Sequence, residues 1–150
     1  MKTSLKYFDD IQPGGVITLG PRPLTEEDSL RFCNEFDRLP FHLDPAQAKN
    51  SIYGQLIASG LHTLSLTASI VVDGFLVHTS MTGASGMESV RWHRPVTLPN
   101  QLSVRVTVLE TKPPIPGKRY GVVKCMLETL GQDGDLVMSA TVDYLLKIRV

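Results

Sequence analysis

The sequence predicts a single α+β domain in which an antiparallel sheet wraps around one enclosed helix. Three observations carry this. Asn50 to Val72 holds no Asp, Glu, Lys or Arg, and large apolar residues recur there at helical spacing: Ile57, Leu61, Leu64, Ala68 and Val71. The second half reads as strands, with Leu102, Val104, Val106 and Val108 alternating with Ser103, Arg105 and Thr107. The chain is 150 residues long, enough for one core and short for two, so residues 1–150 are read as one domain.

The elements follow in order. Leu5 to Leu19 is a leading segment with a turn at Gln12-Pro13-Gly14-Gly15 and a short strand over Val16 to Leu19, which Pro21 and Pro23 interrupt. Thr25 followed by Glu26, Glu27 and Asp28 starts a helix: a hydroxyl N-cap, then acids beside the positive end of the dipole. Leu30, Cys33 and Phe36 give it an apolar face, and Pro40 lies beyond its end. Asp44-Pro45 starts a short second helix reaching Lys49. The charge-free helix comes next. With no charged side chain on any face, it is expected to be covered all round. Asp73-Gly74 stops it.

Met87 to His93 is read as a strand leading to Arg94-Pro95. After the strand around Leu102–Val108, Pro113, Pro114, Pro116 and Gly117 make a loop. Tyr120 to Leu130 and Leu136 to Ile148 form a hairpin about Gln132-Asp133-Gly134, with Ala140, Val142, Tyr144, Leu146 and Ile148 on one face. A sheet wrapped round one helix is an arrangement of hot-dog type. One such sheet leaves an edge and part of a face uncovered, which a homodimer would close.

Composition narrows the function. Lys plus Arg and Asp plus Glu are 15 each, so there is no polycationic surface for nucleic acid. Apolar residues are 42% and charged residues 20%, as in ordinary globular domains. The charge-free run is too rich in Ser, Thr, Gln and His for a membrane span. Met1 to Asp10 has no apolar core of a secretory signal. Cys33 and Cys125 are isolated and read as free thiols in a reducing compartment, so a cytoplasmic location is expected. No histidine pair has metal-ligand spacing and no glycine-rich nucleotide loop is present, so neither metal nor cofactor is expected.

Two stretches can carry chemistry. Asp37 and His42 stand five residues apart across a turn fixed by Pro40. A carboxylate and an imidazole sharing one water can activate it and shuttle its proton. The same residues also fit a plainer role, Asp37 as a helix cap and His42 as a packed histidine. In the second stretch, Ala58, Ser59 and Gly60 stand where the enclosed helix begins. Backbone N–H groups there lack intrahelical partners and can stabilise the enolate oxygen of a reacting thioester. Small residues at that point equally allow close helix–sheet packing.

Together the stretches resemble the MaoC-like acyl dehydratase family, which includes the (R)-specific enoyl-CoA hydratases. Asp37, Pro40, His42, Asp44, Pro45 and Gly60 fall on the family's pattern, and Gly86 to Val96 resembles its strand and Arg-Pro-Val turn. The resemblance runs from about Tyr7 to the C-terminus. Leu39 stands where the family has Asn, and Ser59 where it has His. The resemblance implies a hydro-lyase. Asp37 and His42 would hold a water and add it to a trans-2-enoyl thioester, or run the reverse dehydration. The Gly60 N–H would bind the thioester oxygen. Ser59, Leu56 and Arg94 would contact substrate, with Ile57 and Leu61 beside the acyl chain. CoA would enter as part of the substrate, and the assembly would be a homodimer or a dimer of dimers.

Two other functions fit a hot-dog domain. A thioesterase usually places its carboxylate on the central helix, and Gly60 to Val72 has no Asp or Glu. A non-catalytic acyl-CoA binding subunit would follow if Leu39 disables the turn. Nine of the fifteen acids lie in the first 73 residues, so the second half is mildly basic. Arg91, Arg94, Lys112, Lys118 and Arg119 are the candidates there for the phosphates of CoA.

Overall fold

The computed structural model describes residues 4–150. The reading of Met1 to Asp10 as free of a secretory signal falls in part on residues 1–3, outside the described residues. Strand β1 (Val16–Leu24) leads into helix α1 (Glu26–Phe36), the short helices α2 (Pro40–Leu43) and α3 (Pro45–Lys49), and the long helix α4 (Gly60–Gly74). Strands β2 (Met81–Trp92), β3 (Asn100–Lys112), β4 (Tyr120–Leu130) and β5 (Leu136–Lys147) follow. The five strands form one antiparallel sheet in the order β1-β3-β4-β5-β2. This is the expected α+β, hot-dog arrangement, a sheet with a central long helix.

The sheet core follows from alternation. Leu102, Val104, Val106 and Val108 of β3 face inward with Val123, Cys125 and Leu127 of β4 and Val142, Tyr144 and Leu146 of β5, all buried. Burial raises the thiol of Cys125 to about 12 and also raises that of Cys33, so both cysteines are packed as small apolar residues. The β4–β5 hairpin pairs Thr129 with Met138 and closes around Gln132-Asp133-Gly134, with Gly134 at φ 80°. Ile148, expected on the strand, lies just past its end.

Four expectations are corrected. First, β1 does not stop at Leu19 but continues through Pro21 and Pro23 to Leu24, with a register shift between Leu19 and Arg22. It is an edge strand, and an edge tolerates residues that cannot donate to a ladder. Gly20 makes the bend at φ 95°, where a Cβ would come within 2.9 Å of the Leu102 carbonyl. Second, β2 starts at Met81 rather than Met87. Register shifts break its pairing with β5 three times, which hides its periodicity. Third, Phe36 is 64% exposed, because α1 turns Ser29 and Cys33 inward instead.

The fourth correction concerns α4. The stripe that faces the sheet is Thr63, Leu66, Thr67, Ile70 and Val71. Ile57 lies before the helix, in a bridge to Thr97. The threonines are tolerated because Thr67 Oγ1 donates to the Thr63 carbonyl or shares a proton with Thr129 Oγ1 at 2.7 Å. The opposite face is not covered: Leu61, Ser65, Ala68 and Val72 are exposed at i, i+4, i+7 and i+11. A single sheet has one concave face, and among the described residues no other element covers Leu61, Ser65, Ala68 and Val72 on the far side of the helix. By length and composition Gly60–His78 could cross a membrane, at mean hydropathy 1.5, yet in this fold the helix lies against the sheet.

Candidate active site

The site lies where three segments meet: the end of α1, the start of α4 and the end of β2. Thr25 caps α1 by accepting from the Asp28 N–H, as its hydroxyl predicts. At the other end Asp37 is the C-cap, and its own N–H donates to the Cys33 carbonyl. Pro40 opens α2, which carries His42 into the interior. Asp44 caps α3 by accepting from the Ala46 N–H. Each local signal in this stretch thus has a matching local structure, and the turn between them brings the carboxylate and the imidazole together.

Asp37 Oδ2 stands 3.4 Å from His42 Nε2. The other ring nitrogen, Nδ1, is 2.9 Å from the Ile57 carbonyl oxygen. A carbonyl only accepts, so Nδ1 carries a proton. When the ring is neutral, Nε2 is then an acceptor facing a second acceptor. Such a pair is satisfied by a donor: a water giving a proton to each, or a proton on Nε2 itself. His42 is 5% exposed, and the open side of the pair faces the cleft. Ser59 Oγ also donates to Asp37 Oδ2, at 2.7 Å.

Asp37 and His42 line a cleft of about 510 Å³ together with Ser59, Gly60, Trp92 and Arg94. Gly60 opens α4, so its N–H has no intrahelical partner. Its carbonyl accepts from Trp92 Nε1 at 2.9 Å, and a Cβ on residue 60 would lie 2.7 Å from that nitrogen. Close packing against Trp92 therefore requires glycine here. Arg94 is exposed at the rim and makes no ion pair among the described residues. Ile57 and Leu61 line the cleft, whereas Leu56 is not among its walls.

Trp92 and His93 are walls the sequence reading did not single out as such. Its signal was present: the one tryptophan of the chain stands two residues before Arg94. His93, the last residue of the strand expected over Met87 to His93, lines the cleft with Nε2 at 2.7 Å from Ser139 Oγ. His62 is a packed histidine, its ring stacked on Phe32 at 4.5 Å, and burial lowers its pKa. His78 is exposed in the short 3₁₀ turn Leu76–His78. Among the described residues no three His, Cys, Asp or Glu side chains gather as metal ligands.

The antiparallel sheet with its central long helix places the chain in the class of hot-dog α+β domains. The MaoC like domain family model matches residues 11–127, and the chain belongs to that family. It is 34% identical over 103 residues to protein MaoC of Klebsiella aerogenes. That match covers 68% of this chain and 30% of the Klebsiella protein, so the chain spans less than a third of that relative. The monoamine oxidase regulatory protein from Archaeoglobus superposes with a TM-score of 0.90 at 31% identity, covering 100% and 99% of the two chains. The MaoC-like dehydratase from Rhodospirillum rubrum superposes at 0.86 with 28% identity, covering 96% and 98%.

Proposed function

We propose that this protein is an acyl-thioester hydro-lyase that adds water across a trans-2-enoyl thioester or removes it from the 3-hydroxyacyl product. The observation that carries the reading is the facing pair of acceptors, Asp37 Oδ2 and His42 Nε2, with the second imidazole nitrogen tied to Ile57. A water held by that pair gives up one proton as its oxygen bonds to the β-carbon. The electron pair of the double bond moves to the thioester oxygen, which the Gly60 N–H stabilises. The pair then returns the proton to the α-carbon, so atoms and charge balance. The two groups act as one unit and share their proton.

Family membership and the likeness to a MaoC-like dehydratase support this reading. CoA enters as part of the substrate, and Arg94 at the rim suits its phosphates. The uncharged face of α4 suits a second copy of the chain, so a homodimer or a dimer of dimers in the cytoplasm completes the proposal. The decisive experiment is turnover of crotonyl-CoA followed by loss of enone absorbance. No turnover of any enoyl-CoA by the wild type, or full activity in Asp37→Asn, overturns the reading. Ala68→Glu, with a charge placed on the open helix face, is expected to shift sedimentation to the monomer.

A thioesterase is less well supported. The one carboxylate on α4 is Asp73 in its last turn, exposed and 3.8 Å from Arg22 at the far end from the cleft.

A further inference from the structure

Ser59 stands where the resembling family carries histidine, and Leu39 where it carries asparagine. The structure shows what each does here. Leu39 is 48% exposed and offers the turn no polar group. Ser59 is fully buried. Its hydroxyl accepts from the Leu61 N–H at 3.2 Å. The hydroxyl has a single proton, and that proton goes to Asp37 Oδ2 at 2.7 Å. The backbone of Ser59 is held on both sides. Ala58 N–H donates to the Val96 carbonyl at 2.9 Å, and Thr63 N–H donates to the Ser59 carbonyl at 3.0 Å. Among the described residues Ser59 is the one hydroxyl that donates to the Asp37 carboxylate.

We propose that Ser59 is a positioning residue, fixing the Asp37 carboxylate toward His42 through the directed chain Leu61 N–H to Ser59 O–H to Asp37 Oδ2. This rests on the hydro-lyase reading and deepens it. In this role Ser59 acts on the reaction through Asp37. It fills one of the two acceptor positions of the carboxylate oxygen that faces His42, leaves the other for the water, and so holds the carboxylate plane; among the described residues Oδ1 has no protein donor. The reacting water then meets a carboxylate in one orientation. Without the donor the carboxylate is free to rotate about its last bond, and the water loses its alignment with the β-carbon. The polar support of the catalytic turn thus comes in this chain from the head of α4 rather than from the turn itself.

Ser59 also caps α4, and the test must separate the two roles. Glycine is a tolerable N-cap, costing a few tenths of a kcal/mol relative to serine. Ser59→Gly therefore keeps the helix while removing the hydroxyl. In turnover of crotonyl-CoA it is expected to lower kcat by about 10- to 100-fold with KM within about twofold of wild type. Ser59→Thr retains a hydroxyl on the same backbone and is expected to recover most of kcat. The ¹³C carboxyl resonance of Asp37, assigned by its loss in Asp37→Asn, is expected to move in Ser59→Gly whether or not the enzyme turns over.

That resonance separates the two hypotheses. If wild type hydrates no enoyl thioester but the resonance moves, the hydro-lyase reading fails and the positioning contact stands. An unmoved resonance overturns the contact. Unchanged kcat in Ser59→Gly, or a raised KM with unchanged kcat, overturns the positioning role and, in the second case, makes Ser59 a substrate contact.

Discussion

The inner face of β3, β4 and β5 and the cleft at the head of α4 are built on opposite principles. The sheet face is closed by aliphatic side chains at alternate positions, and Leu102, Val104 and Leu127 are essentially inaccessible. Its stability is area removed from water, about 25 cal/mol per Å² of apolar surface. The cleft buries polar groups instead: His42, Ser59 and Thr63 are 5%, 0% and 1% exposed. Each is tolerated because it has a partner: His42 and Ser59 find theirs on other segments, at Ile57 and Asp37, and Thr63 bonds back to the Ser59 carbonyl one turn earlier in α4. On the proposed function, stability resides in the sheet and chemistry in the cleft, and changing one part at a time tests whether the two separate.

The largest effect is expected in the cleft. Asp37→Asn or His42→Ala should lower hydration of crotonyl-CoA by about 10²- to 10⁴-fold, the usual worth of a general acid–base group, and Asp37→Asn, which keeps the side chain's size, should do so with little change in melting temperature. A large loss of folding in Asp37→Asn would break the separation. The converse change is Leu127→Ala in the sheet. It should cost about 2–5 kcal/mol in denaturant unfolding and leave kcat of the folded fraction intact.

Gly60→Val sharpens the boundary between the regions. The new side chain meets Trp92, so an overpacking cost of about 1–3 kcal/mol should accompany loss of turnover. Arg94→Ala should raise KM for a CoA thioester about fivefold, near the upper worth of one exposed ion pair, with kcat unchanged. The smallest expected effect is a pH dependence at the junction of the regions. Burial lowers the pKa of His62 below its ordinary 6.5, with Asp28 opposing the shift and Arg31 adding to it. The unfolded chain therefore takes up the proton first, and stability falls as pH drops from 6.5 toward the folded-state value. His62→Phe, which keeps the stack on Phe32, should flatten that part of a plot of melting temperature against pH.

Legibility differed between the regions for the same physical reason. The β4 strand and the turn after it were readable because alternation and turn chemistry are local, and β4 matches its expected bounds of Tyr120 and Leu130. The caps at Thr25 and Asp44 were readable because a cap acts within three residues. β2 was half missed because three register shifts and Ser89 at φ 53° erase its period. The buried stripe of α4 was misjudged because Thr63 and Thr67 look like a polar face until Thr129 arrives from β4, 62 residues away from Thr67. The approach of Asp37 and His42 is legible because a five-residue turn joins them. Trp92 was not assigned to the site because its partner, Gly60, is 32 residues away.

The sequence by itself determined the class of fold, the caps of α1 and α3, the sheet's inward residues and the carboxylate–imidazole pair, all set by interactions a few residues long. Tertiary structure decided which groups of the cleft meet. It turned Ser59 toward Asp37, laid Trp92 on Gly60, tied the His42 imidazole to Ile57 and left one face of α4 open. Those outcomes depend on which distant segment supplies the partner of a buried polar group, and chain folding, not local propensity, chooses that partner.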